Sequence, residues 1–127
     1  MMIPVVFEPC VLLDGKGTNF ATIGVTQKSD ITQEHPGVIL HYDDRGLVRD
    51  VIVYKNGCQT ERGIGIGSSR HQVIQAYGKG KERTPVLKKG RTQIGLLGVS
   101  ELIYSGIAFV FDDHGLVTMI LIPPTAN

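Results

Sequence analysis

The sequence predicts an α+β domain: an antiparallel β-sheet of two related hairpin units with one short helix, at about residues 69–77, packed on one face. Three observations predict it. Two segments repeat an Asp-Asp-x-Gly turn between β-rich arms, one segment carries complete helix start and stop signals, and 16 glycines in 127 residues are roughly twice the usual share. A chain of this length suits one domain, residues 1–127, with an internal pseudo-repeat over about 20–54 and 63–122.

The hairpins come first. GVILHYDDRGLVRDVIV (Gly37 to Val53) and GIAFVFDDHGLVTMILI (Gly106 to Ile122) align without gaps and share Gly, Asp-Asp, Gly, Leu and Val. Asp43 and Asp112 can accept hydrogen bonds from backbone amides as the turn opens. Gly46 and Gly115 suit the left-handed position of a type I turn closed by a G1 bulge.

A weaker echo precedes each hairpin, IGVTQKSDI from Ile23 and IGSSRHQVI from Ile66. Each runs from an apolar residue and Gly to a hydroxyl side chain and then to an aliphatic one. The unit is therefore strand, Gly turn, helix and hairpin. In the first copy Pro36 closes the space before Gly37, which leaves room for a turn or two of helix at most. In the second, Ser68 or Ser69 serves as N-cap with Gln72 placed for a capping box. Val73, Ala76 and Tyr77 form an apolar face, and Gly78 supplies a left-handed C-cap. Alternating Ile64 and Ile66 read as a strand end, and Thr92 to Tyr104 as one or two strands broken at Gly95 and Gly98.

The overall charge of +1 argues against a general nucleic-acid or membrane-surface binder. The positive charge concentrates in one loop-like segment, where Lys79, Lys81, Arg83, Lys88, Lys89 and Arg91 are opposed only by Glu82. Cys10 and Cys58 could pair, but without a signal sequence the expectation is two buried thiols in a reducing compartment. No segment is long enough to span a membrane. As written the chain reads as cytoplasmic; with a leader already removed, the same residues would suit the envelope or a secreted protein.

The stretch RGIGIGSSRHQVIQAYGKG is the one that most resembles a ligand loop. A dinucleotide fingerprint needs G-x-G-x-x-G, but Arg70 occupies the place of the third glycine counted from Gly65, and no Walker sequence is present. A small ligand or anion, or the substrate of an enzyme, on the helix-start amides of Gly67, Ser68, Ser69 and Arg70 is the alternative reading. His35, His41, His71 and His114 have no metal-ligand spacing, turn chemistry accounts for the paired aspartates, and no base or elbow accompanies the serines. No catalytic, metal or cofactor set is expected. The segment Lys79 to Arg91 could touch phosphates, but without interleaved aromatics its bland reading is a solvated loop.

The run from Ile66 to Val73 with Tyr77-Gly78, followed by Gly106-Ile107-Ala108-Phe109 and Asp112-Asp113-x-Gly115-Leu116-Val117, resembles a family of small bacterial repeat domains. These are the domains related to β-lactamase inhibitor protein and the SmpA/OmlA-type outer-membrane assembly lipoproteins. The resemblance covers about half the chain and departs at Lys79-Gly80-Lys81 after the helix. It implies a helix followed by antiparallel strands, action by binding proteins, and no catalytic residues. The expected function is a non-catalytic protein-interaction module. Its partner is an unidentified protein or a second copy of the chain joined through exposed edge strands.

Overall fold

A computed structural model of the chain describes residues 9–32, 35–83 and 100–124. Among these residues ten strands form two sheets: β1 (Cys10–Leu13), β2 (Gly17–Thr18), β3 (Ala21–Thr22), β4 (Val38–Tyr42), β5 (Val48–Val53), β6 (Cys58–Thr60), β7 (Lys81–Arg83), β8 (Ser100–Tyr104), β9 (Ile107–Phe111) and β10 (Val117–Ile122). The helix α1 runs Arg70–Tyr77, and a 3-10 turn covers Lys28–Asp30. The larger sheet has six strands in the order β4-β5-β10-β9-β8-β7, every neighbour antiparallel. A smaller four-stranded sheet, β3-β2-β1-β6, was not foreseen and includes one parallel pair, β1 with β6.

The expected hairpins are β4–β5 and β9–β10, and their turns match bond for bond. The Asp43 amide donates to Leu47 O at 2.9 Å and the Asp112 amide to Leu116 O at 2.9 Å. Asp43 Oδ1 accepts from the amides of Arg45 and Leu47, and Asp112 Oδ1 from those of His114 and Leu116. Gly46 and Gly115 sit at φ 79° and 75°, a region that costs any residue with a Cβ. The backbone amides hold both carboxyls below the ordinary carboxylate value, led by Leu47 for Asp43 and Leu116 for Asp112. Each hairpin also carries a register shift at the same aligned place, beside Arg49 in one and Thr118 in the other.

The hairpins meet at β5 and β10, where Val53, Ile52 and Val51 face Ile120, Leu121 and Ile122. Ile52 and Leu121 are aligned positions, so a local two-fold relates the hairpins through that pair. On one face of the sheet Val51, Val53, Phe109, Phe111, Ile120 and Ile122 are sealed in the core with Leu12, Ile23, Ile64 and Val73. At about 25 cal/mol per Å² of apolar surface, this shared layer is the main source of stability.

Ser69 caps α1 through a complete capping box with Gln72, as its sequence predicts. The C-terminus differs from expectation. Gly78 takes φ 82° and ψ −161°, an extended glycine conformation in place of the left-handed cap, while its amide still closes the last turn on Ile74 O.

Three further expectations need correction. Cys10 and Cys58 are not thiols: β1 and β6 run side by side with Cys10 opposite Cys58, and the two form a disulfide. Ile64 and Ile66 do not form a strand end, since only a single bridge from Gln59 to Gly65 is present there. The start of the basic segment is not a loop, because Lys81–Arg83 is strand β7, paired with β8. Of the strands expected over 92–104, Ser100–Tyr104 is β8 and residues 92–99 lie outside the described residues.

Candidate functional site

The helix-start loop is built from a tight turn over Thr60 to Ile64, closed by Thr60 N donating to Ile64 O at 2.8 Å. From there Gly67 to Arg70 runs along the second hairpin, and the loop's donors are consumed in doing so. Gly67 N donates to Val117 O at 2.8 Å, Ser68 N to Gly65 O at 3.1 Å, Ser69 N to Gln72 Oε1 at 2.8 Å, and Arg70 N to Gly115 O at 2.9 Å. The hydroxyls are engaged as well, Ser68 accepting from Gly65 N and Ser69 from Gln72 N. An anion here would have to displace bonds that dock the helix on the hairpin.

The Arg70 side chain is equally committed. Its guanidinium donates to Ser100 Oγ at 3.1 Å and to Glu82 Oε1 at 2.6 Å, and lies 5.4 Å from the Phe111 ring centroid. These contacts join α1 to β7, β8 and β9, so Arg70 is a clamp among elements and not a free cation. Of the basic segment, Lys79, Lys81 and Arg83 are exposed. Arg83 pairs with Glu101 at 3.4 Å. Lys88, Lys89 and Arg91 lie outside the described residues.

The histidines are dispersed. His35 stacks on Phe20, His41 contacts Asp50 at 2.6 Å, and His114 is exposed in its turn beside Asp113. Among the described residues no group of three or more His, Cys, Asp or Glu could hold a metal ion. The Tyr77 hydroxyl donates to Asp14 Oδ1 at 3.0 Å, and burial pushes it up to about 12. Its ring packs against Tyr104 and Phe109 under the Arg62 guanidinium. Arg62 also donates to Ala76 O in the last turn of the helix, so Tyr77 serves as a packing anchor.

Two surfaces that the sequence reading did not single out emerge from the register. On the sheet face away from the core, Ile39, Ile52, Leu121, Ala108 and Ile103 align across β4, β5, β10, β9 and β8. Ala108 is buried, Ile52, Leu121 and Ile103 are half-buried, and Ile39 is 41% exposed. On the same face, the row to one side runs Met119, Val110, Glu101 and Arg83, with Arg83 paired to Glu101, and the row to the other side carries His41 beside Asp50. The result is an apolar stripe with charged margins. Strict alternation along β5 and β10 would have signalled it, but their paired ends, Val51 to Val53 and Ile120 to Ile122, are continuous apolar runs.

The second surface is a cleft of about 430 Å³ on the core side of β4, lined by Phe20, Ile31, His35, Pro36, Val38, Leu40 and Tyr42. No described helix is long and apolar enough to cross a membrane. No protein-family model, curated protein or solved structure matches this chain.

Proposed function

We propose that the protein is a non-catalytic protein-interaction module that binds through the outer face of its six-stranded sheet. The observation that carries this reading is the apolar row from Ile39 through Ile52, Leu121 and Ala108 to Ile103 on the outer face, of whose members Ala108 alone is buried, with charged pairs in the flanking rows. An apolar centre with a polar rim is the anatomy of a protein interface. The resemblance to β-lactamase inhibitor protein and SmpA/OmlA-type domains, which act by binding proteins, supports the same reading. The Cys10–Cys58 bond supports an oxidising setting, such as the cell envelope or outside, over the cytoplasm.

The test immobilises the full chain and an Ile52→Lys/Leu121→Lys variant, exposes both to native extract, and identifies retained proteins by mass spectrometry. Light scattering of each reports self-association. The expected result is a protein, or a second copy, held by the wild type and lost from the variant while circular dichroism stays unchanged. Identical retention by both, or a monomer that retains nothing, contradicts the proposal.

A further inference from the structure

Val38, Leu40 and Tyr42 of the first hairpin align with Ile107, Phe109 and Phe111 of the second. In the second hairpin all three are fully buried. Helix α1 lies against them: Val73 is sealed, the Tyr77 ring is 5.2 Å from Phe109, and Arg70 lies over Phe111. The first hairpin begins to receive the same cover. Lys28 N donates to Gly46 O at 2.8 Å as Arg70 N does to Gly115 O, and Lys28 Nζ stands 5.5 Å from the Tyr42 ring centroid.

There the likeness stops. The 3-10 turn Lys28–Asp30 buries none of its residues, and no second helical turn follows it among the described residues. Ile31 follows Lys28 at the spacing by which Val73 follows Arg70. No described side chain takes the places of Ala76 and Tyr77. Phe20 reaches in from the β2–β3 turn and stacks on His35 at 4.2 Å, much as Tyr77 packs on Tyr104, but it forms only one wall. Val38, Leu40 and Tyr42 are left half-buried around the cleft of about 430 Å³.

We propose that this cleft receives a short amphipathic helix of a partner protein, presenting a small residue followed directly by an aromatic one, as Ala76 and Tyr77 do for the second hairpin. A helix is favoured because the aligned strand face elsewhere in the same molecule is already covered by one, with anchors at Val73, Ala76 and Tyr77, the i, i+3, i+4 spacing of helix-in-groove recognition. Among the described residues, the lining offers no carboxylate and no arginine to fix a strongly polar ligand. The inference rests on the reading of the chain as an interaction module, but it uses the opposite side of the sheet.

The test titrates isotope-labelled full chain, followed by NMR, with a helix-stapled peptide carrying residues 69–79 of this sequence, and separately with p-cresol, the side-chain analogue of tyrosine. The peptide is expected to shift the signals of Ile31, Val38, Leu40 and Tyr42 saturably. A peptide with Tyr77→Ala, and a protein with Leu40→Trp, should each bind at least tenfold more weakly. Val38→Phe serves as a second blocking variant if Leu40→Trp disturbs signals beyond the cleft. No shift, shifts centred on Phe109 and Phe111, or saturation by p-cresol without the peptide would overturn the proposal. The Ile52→Lys/Leu121→Lys protein should bind the peptide unchanged, which separates failure of this site from failure of the outer face.

Discussion

The hairpin Val38–Val53 and the hairpin Ile107–Ile122 share a turn, a bulge and a register, yet they live in different surroundings. The second is roofed by an eight-residue helix and flanked by β8, whereas the first has a single 3-10 turn above it and β4 ends the sheet. The same local chemistry therefore makes a core in one place and a cleft in the other. What differs is the chain between the Gly turn and the hairpin, long after Gly67 and short after Gly24. Hairpin formation is a local matter of Asp and Gly at fixed offsets, while burial depends on what the rest of the chain delivers to the sheet face.

The largest expected effect comes from the disulfide. Its closed loop, 48 residues in sequence separation, contains the whole first hairpin and none of the second. Cys10→Ser/Cys58→Ser should cost about 4 kcal/mol by loop entropy in urea unfolding. Amide exchange should accelerate more in β4 and β5 than in β9 and β10; equal acceleration would remove this distinction between the hairpins. Next is the roof. Val73→Ala, at a fully buried site, should cost about 2–3 kcal/mol, and Ile31→Ala at the half-buried counterpart about half as much. Smaller still is the clamp: Arg70→Met should cost about 1–2 kcal/mol through its bonds to Ser100 and Glu82, and Lys28→Met no more than ~0.5 kcal/mol.

The hairpins should behave alike in pH. Asp43 and Asp112 are both depressed below 3.8, so their contribution is complete above that value and fades as pH falls through the folded values. Asp43→Asn and Asp112→Asn should flatten the acid limb of the melting curve by similar amounts. Tyr77 runs the other way: raised from 10.0 to about 12, it stabilises fully below 10 and loses that contribution as pH climbs between the two. Tyr77→Phe should reduce alkaline unfolding in that window.

The hairpins and the helix cap were legible because each is decided within a few residues, by Asp43 and Asp112, by Gly46 and Gly115, and by Ser69 with Gln72. Strand β7 was not legible, since Lys-Glu-Arg has no apolar periodicity and is held by the β8 ladder and the Arg70–Glu82 contact. The disulfide escaped for a similar reason, because only the parallel pairing of β1 with β6 brings the cysteines together. The Gly67–Arg70 loop read as a ligand site because free amides at a helix start can be inferred from sequence, whereas their capture by Val117 and Gly115 cannot. The cleft required knowing that Lys28–Asp30 buries none of its residues.

The most direct test of unequal cover is a reciprocal exchange at the aligned pair Leu40 and Phe109, measured by urea unfolding. Leu40→Phe should be neutral or stabilising because the larger ring enters the cleft, while Phe109→Leu should cost about 1–2 kcal/mol in a sealed core. If Leu40→Phe instead destabilises by the ~1–3 kcal/mol of an overpacked interior, the first hairpin is as fully covered as the second and the account fails.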